Sequence, residues 1–331
     1  MFLKSYLVFA VTLSTSANIF TNALSVRQLG PIGRLCGNEL DEATKAILEA
    51  DFQLNQVPPP AGISTTSTAA NLASPVNVFF HVVSKDETPE GGNVPDSAID
   101  EQMDVLNTAF GETGLQFRLA EVTRSVNESW FGNADKRGPR NFEMKAALRR
   151  GGRADLNVWT TGLAWQGPGS SSLLGYATFP VNVTVEPEND GVVVLYSTLP
   201  KGDNPPFNLG HTLTHEVGHW VGLYHTFEGF SCRGTGDEVD DTPPQRNPTT
   251  GCPADDPTRP PKNSCPAPSP DEEDLPDPIH NYMDYSDDRC MNEFTPGQIE
   301  RMHAHLATYR GIELRTGGAP VATIVKRVPA L

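Results

Sequence analysis

Residues 215 to 225 read His215-Glu216-Val217-Gly218-His219-Trp220-Val221-Gly222-Leu223-Tyr224-His225, and no other part of the chain so narrows the folds open to it. On an α-helix, positions i and i+4 are about 400° apart, so His215 and His219 overlap within about 40° and lie about 6 Å apart along the axis. Two imidazoles so placed can meet one zinc at about 2.0–2.1 Å. His225, six residues further on, would on a continued helix point about 240° away and sit about 9 Å beyond, out of reach of that metal. The helix must therefore stop after His219, and Gly222 is the residue able to take the positive φ that turns the chain back. Three neutral imidazoles leave one zinc position open to water, whose pKa then falls towards about 7. Glu216, beside a ligand on the adjoining helix face, is the candidate general base. A purely structural site would bring a fourth protein ligand instead.

The compartment is read from the first residues. Met1 to Ser5 carries Lys4 and leads into the apolar run Tyr6 to Leu13, followed by small residues such as Ala17 and Ala23. This pattern predicts a signal peptide over 1–23, with cleavage after Ala17 or Ala23 left open. The alternative is an N-terminal helix of the fold, but nothing polar gives that segment a second face. The run is shorter than the roughly 20 apolar residues a bilayer span needs, and no later segment is long and apolar enough. A secreted, soluble, monomeric chain without a membrane partner is expected. The 331 residues carry Asp+Glu 41 against Lys+Arg 25, a formal charge of −16, which argues against nucleic acid as a partner. In the secretory pathway the sequons at Asn127 and Asn182 become candidate glycosylation sites.

Along the chain, Leu40, Ala43, Ile47, Ala50 and Leu54 predict a short helix over 38–52 capped by Asn38. Pro58-Pro59-Pro60 and a Ser/Thr/Ala tract predict a linker over 55–75. Strands are predicted over 75–83, 115–122, 155–160 and 191–196, the last as a central strand buried on both faces. Helices are predicted from Pro95 with a stripe of Ile99, Met103, Leu106 and Phe110, over 142–150, from Leu209, and after a Thr295 cap with Pro296 at its first position. From Phe230 to Pro278 the chain is crowded with Pro, Asp and Cys and has no period, so it needs covalent or metal support.

The extended zinc motif resembles that of the metzincin metallopeptidases, and Asn281-Tyr282-Met283-Asp284-Tyr285 resembles their downstream methionine-containing turn, with Met283 beneath the metal. Leu213 to Phe227 together with His280 to Ser286 resembles the pappalysin group, especially the secreted extracellular metalloproteases of fungi. The resemblance spans roughly residues 75–311. It implies an α/β (α+β) zincin with a twisted mixed sheet and two long helices in an N-terminal subdomain, over 76–225 with the zinc helix. An irregular, disulfide-stabilised C-terminal subdomain over 226–315 would carry the Met-turn, with 24–75 a pro-segment and linker and 316–331 a tail outside the fold. The implied activity is that of a zymogen-derived, zinc-dependent endopeptidase acting on proteins or peptides, with water activated by zinc and Glu216.

Tyr285, two places after Met283, holds the position of a Tyr that steadies the tetrahedral intermediate in several metzincins. Five cysteines leave at least one without an intrachain partner. Cys232, Cys252, Cys265 and Cys290 permit three pairings; the resemblance favours Cys232 with Cys265 and Cys252 with Cys290. Cys36 is then left over, and in this family a pro-segment cysteine can occupy the open zinc position. The resemblance also implies calcium, for which Gly236 to Thr242 offers oxygens, whereas Asp271 to Asp274 reads as solvated surface. Asp288 matches a floor position of the S1′ pocket, where a buried carboxylate would favour Arg or Lys after the scissile bond. The apolar run Leu173 to Ala177 is a candidate strand for pairing with substrate. The competing reading is a catalytically silent secreted binding module, which would need no Glu216; a zinc amidase would not require Met283 and Tyr285.

Overall fold

The β-branched and aromatic residues of 76–84 favour extended backbone, and in the computed structural model they form an inner strand of the principal sheet. The structure describes residues 33–57, 70–72, 75–164, 173–256, 258, 260–267, 269, 274–312, 314–316 and 326–327. The signal-peptide assignment and most of the linker lie outside these residues.

In chain order the elements are α1 (Glu42–Asn55), β1 (Ala70–Leu72), β2 (Val76–Ser84), α2 (Asp96–Ala109), β3 (Phe117–Val126), α3 (Glu128–Asn133), α4 (Pro139–Leu148), β4 (Leu156–Thr161), β5 (Gly175–Ala177), α5 (Asn182–Val185), β6 (Val192–Leu195), α6 (His211–Trp220), α7 (Pro296–His305), β7 (Leu314–Thr316) and β8 (Lys326–Arg327). The main sheet runs β5-β6-β4-β2-β3-β8. Its strands are parallel except β5, which pairs antiparallel with β6 at the edge. The described residues all belong to one compact unit.

Strand alternation sends side chains to two layers. Val192 and Val194 of β6 join Val78, Phe80 and Val158 against α2 and α6, where Ile99, Met103, Leu106, Leu213 and Val217 pack. Val193 and Leu195 join Trp159 and Tyr176 against Met144 and Leu148 of α4. The sheet is thus covered on both faces, as near-continuous valine runs require. β6 is buried on both faces but lies second from the edge, with β4 and β2 in the middle.

Three expectations are corrected. Asn38 does not cap α1; Asp41 does, accepting from the Thr44 N–H at 2.7 Å. Asn38 is instead drawn to the open backbone of Ala177. The predicted apolar stripe of α1 faces out, with Ile47 69% and Leu54 84% exposed, while Lys45 and Phe52 are buried. Tertiary partners described below outweigh the helix's own periodicity. Finally, the linker and tail contribute strands: Ala70–Leu72 pairs antiparallel with Leu314–Thr316, and Lys326–Arg327 pairs with Glu121 and Val122 of β3. The open edge of β3 offers unpaired N–H and C=O groups, which Lys326–Arg327 satisfies, whereas β1 and β7 pair with each other in a separate two-stranded sheet.

Between α6 and α7 the described residues contain no α-helix and no strand, only short 3₁₀ turns. Cys232–Cys265 and Cys252–Cys290 are disulfide-bonded across separations of 33 and 38 residues, and closures of that size stabilise by roughly 2–4 kcal/mol each. α7 starts with a capping box between Thr295 and Gln298 and Pro296 in its first turn. Beyond it a π turn brings Arg310, 1% exposed, to Asp190 at 2.9 and 3.0 Å, with the guanidinium 3.6 Å from the centroid of the Trp220 ring.

Candidate metal centre

α6 carries His215 and His219 one turn apart on a helix buried from Thr212 to Trp220, and its last turn closes at Val221. Gly222 then adopts φ +110°, where a Cβ would meet the His305 ring at 2.5 Å. The turn returns His225 to the same point: the Nε2 atoms of His219 and His225 lie 3.1 Å apart. His219 Nδ1 faces the Leu223 carbonyl at 2.8 Å and His215 Nδ1 the Tyr282 carbonyl at 2.7 Å. A carbonyl only accepts, so each Nδ1 carries the proton and each Nε2 presents a lone pair to the centre. His215 Nε2 is buried with no hydrogen-bond partner.

Cys36 completes the set. Its Sγ is 3.4 Å from His219 Nε2, and one ligand atom from each of Cys36, His215, His219 and His225 lies within 4.8 Å of the others. Tetrahedral zinc with nitrogen at about 2.05 Å and sulfur at about 2.3 Å would space N from N by about 3.3 Å and S from N by about 3.5 Å. The donor set therefore fits zinc in size, in chemistry and in the unpartnered Nε2 of His215. Burial holds all three imidazoles below their ordinary pKa, His225 to about 3, which keeps them in the neutral form that ligation needs.

Glu216 is 1% exposed, and its Oε2 lies 3.4 Å from Cys36 Sγ. Burial raises its pKa to about 8. It borders β5 so closely that a Cβ on Gly175 would come within 2.8 Å of its Cγ. Met283 is fully buried beneath α6, and a Cβ on Gly218 would come within 2.4 Å of its Sδ. Tyr285 packs its ring on His225 at 5.1 Å, and its hydroxyl accepts from the Cys36 N–H at 3.2 Å.

Residues 34–38 lie along β5. Leu174 N–H donates to Leu35 O, Gly37 N–H to Gly175 O, and the Asn38 side chain makes both a donated and an accepted bond with Ala177. The run 173–177 thus pairs with the chain's own N-terminal segment, in parallel at Cys36 and Gly175. Two residues before the thiol, Arg34 enters a buried pocket and donates to Asp288 Oδ1 at 2.5 Å and Thr212 Oγ1 at 3.2 Å. Asp288 Oδ2 accepts from the Leu209 N–H at 2.8 Å. Lys136 donates to Gly37 O at 2.7 Å and Asn38 Oδ1 at 3.0 Å.

Arg34, Lys136, Gly175 and Gly218 were not singled out by sequence reasoning. A signal existed for Arg34, because alternate residues of an extended segment share a face and it stands two before Cys36. Lys136 and the two glycines carry no local signal. The sequon asparagines serve locally: Asn127 Oδ1 caps α3 through the Trp130 N–H, and Asn182 Oδ1 accepts from the Phe179 N–H. In the acidic loop, Asp237 is 4% exposed, its Oδ2 has no partner, and burial pushes its pKa up to about 7. Of 271–274 only Asp274 is described; it is exposed and accepts from Asn263 and the Ala267 N–H.

A peptidase-family profile described as pregnancy-associated plasma protein-A matches residues 156–307. An extracellular metalloprotease of Sordaria macrospora is 43% identical over 245 residues, which is 73% of this chain and 78% of that protein. One of Colletotrichum graminicola is 37% identical over 297 residues, covering 88% and 97%. Among solved structures, promirolysin of Tannerella forsythia aligns with TM-score 0.59 at 28% identity over 83% of this chain and 95% of that one. Mature mirolysin in complex with a cleaved peptide aligns with TM-score 0.53 at 31% identity, covering 70% and 91%.

Proposed function

The chain belongs to the pappalysin family of metzincin metallopeptidases and is a zinc metalloendopeptidase; from that premise we propose that it is a secreted zymogen whose centre is built from His215, His219, His225 and Glu216. The observation that carries the assignment is the convergence of three imidazole lone pairs and the Cys36 thiol within 4.8 Å, beside the Glu216 carboxyl. Bound there, zinc would supply a Lewis acid that polarises the peptide carbonyl and lowers the pKa of water towards about 7.

The chain's own residues do the rest. Glu216 takes a proton from the attacking water and passes it to the leaving amine. The Tyr285 hydroxyl, which holds the Cys36 N–H at 3.2 Å in the latent chain, donates instead to the developing oxyanion. Met283 and Gly218 hold the floor of α6 in place. Extended substrate pairs along β5 once residues 34–38 leave it. We assign 24–75 as pro-segment and linker, 76–225 and 226–315 as the two catalytic subdomains, and secretion in keeping with relatives named extracellular. Among the described residues no helix is long and apolar enough to cross a membrane.

Latency follows from the same contacts. Cys36 would fill the fourth zinc position while Lys136 and Asp288 fix the segment on either side. The expected result is that wild-type proform leaves casein intact, whereas a Cys36→Ser proform cleaves it. Activity of the processed enzyme should vanish with a chelator and return with zinc. A Cys36→Ser proform as latent as wild type would remove the thiol's role; chelator-resistant cleavage would remove zinc's.

Arg34 also serves as a stand-in for substrate. A guanidinium in the pocket floored by Asp288 supports a preference for Arg or Lys at P1′, since an unpaired buried carboxylate costs several kcal/mol. In a peptide-library profile, Asp288→Asn should lower kcat/KM for P1′ Arg by about tenfold to a hundredfold, the scale of one charged contact of roughly 1.5–3 kcal/mol. An unchanged profile would discard the assignment. The buried, unpartnered Asp237 Oδ2 supports calcium in the 236–242 loop; a thermal midpoint insensitive to added calcium would count against it.

A further inference from the structure

Blocking the centre requires only residues 34–38, yet the latent chain also seats α1 on a second surface away from it. Phe52 stacks on His305 at 3.8 Å and lies 6.3 Å from the Tyr309 ring. Glu49 takes a bidentate contact from Arg301 at 2.5 and 3.3 Å and a hydrogen bond from the Tyr224 hydroxyl at 2.8 Å. Lys45 donates to Gly236 O at 2.8 Å and lies 3.2 Å from Glu238. Lys45, Glu49 and Phe52 recur at i, i+4 and i+7, so one helix face presents a cation, an anion and an aromatic ring in order. Asp51, beside them, accepts from the Tyr309 hydroxyl at 2.6 Å.

Every receiving group belongs to the part that remains after the pro-segment is lost, on the zymogen reading above. Removal would leave the Val183 and Tyr309 side chains and the face of the His305 ring without cover, flanked by the Arg301 cation and the Glu238 anion. A contiguous apolar patch rimmed by opposite charges marks a docking site rather than ordinary surface. Arg301 also donates through Nε to Gly222 O at 2.9 Å, which pre-orients its guanidinium whether or not a carboxylate is bound.

We propose that this surface is a docking site of the mature enzyme for protein substrates, and that it takes a helical segment carrying a basic, an acidic and an aromatic residue at i, i+4 and i+7. The pro-segment helix occupies it in the latent chain and is the template for the recognised pattern. Docking there raises the local concentration of a nearby cleavage site and so acts on KM rather than on kcat.

The test uses the full chain, folded and then processed so that the pro-segment can be separated, with a labelled peptide of residues 39–57, which lacks both Arg34 and Cys36. Binding is first read by fluorescence anisotropy on Glu216→Ala enzyme, so a failure of the catalytic assignment cannot affect it. The peptide should bind, and its Phe52→Ala and Glu49→Gln variants should bind at least about tenfold more weakly, as expected when an anchor residue is truncated. Active enzyme is then given a carrier with one cleavage site, with the 39–57 segment or its Phe52→Ala form fused upstream. The intact segment should lower KM several-fold at unchanged kcat, and free 39–57 peptide should abolish that advantage while leaving hydrolysis of a short peptide untouched. No binding, equal binding of the variants, equal KM for both carriers, or inhibition of short-peptide hydrolysis would each overturn the proposal.

Discussion

Glu216→Ala enzyme, processed like wild type, is expected to lose about 10²–10⁴-fold in kcat/KM on casein or a peptide while retaining about one zinc per chain, the range that one general acid–base catalyst supplies. The carboxyl lies beside the Cys36 sulfur and is not among the four groups whose ligand atoms converge. Its removal therefore separates proton transfer from metal binding. Glu216→Gln should fall as far, since an amide cannot accept the proton. Zinc lost along with activity would reassign Glu216 to holding the site together, and activity within a few-fold of wild type would end its role as base.

The second large effect is on stability and lies away from the centre. Asp190 is fully buried and receives Arg310 at 2.9 and 3.0 Å, the Thr178 hydroxyl at 2.8 Å and the Trp220 indole N–H at 3.4 Å. Burial alone would raise its pKa, but the Arg310 charge and hydrogen bonds outweigh that and hold it below the ordinary value. This cluster ties β6, α6 and the end of the C-terminal helix together. Asp190→Ala or Arg310→Met should each cost about 3–5 kcal/mol, because either removes the principal partner of a buried charge, Arg149 lying only at 3.8 Å from Asp190. The double variant should cost clearly less than the sum. Urea unfolding of the processed enzyme reads all three; single losses below about 1 kcal/mol would show that the pair does not hold the fold. Because the folded pKa is depressed, the contribution is complete above the unfolded value of about 3.9 and is lost as pH falls from there through the folded value. Acid unfolding of wild type should therefore steepen below about pH 4, and Asp190→Ala should lack that component.

What could be read from the chain divides by the range of the forces involved. The helix that ends after His219, the turn at Gly222, the Thr295 cap and the valine-rich strands depend on neighbours a few residues apart, so periodicity and φ preferences sufficed to find them. Met283 and Tyr285 came from resemblance, and the fold gives physical content to the first through the close approach of Gly218. The stripe on α1 misled because its buried face is chosen by Arg301, Tyr224 and Glu238, more than 150 residues away in sequence. The tail strands were missed for a similar reason: their pairing partners, the edge of β3 for Lys326–Arg327 and the Ala70–Leu72 segment for Leu314–Thr316, lie far off in sequence and leave no mark in local composition.

Three histidines and a glutamate at spacings that a helix followed by a sharp turn reconciles are legible without any fold, and they point to metal chemistry. What meets those residues emerges from long-range packing alone. That packing seats Cys36 over the centre, Arg34 on Asp288 and α1 on Arg301, because such pairings are set by complementary charge and shape across distant segments, which no local pattern encodes.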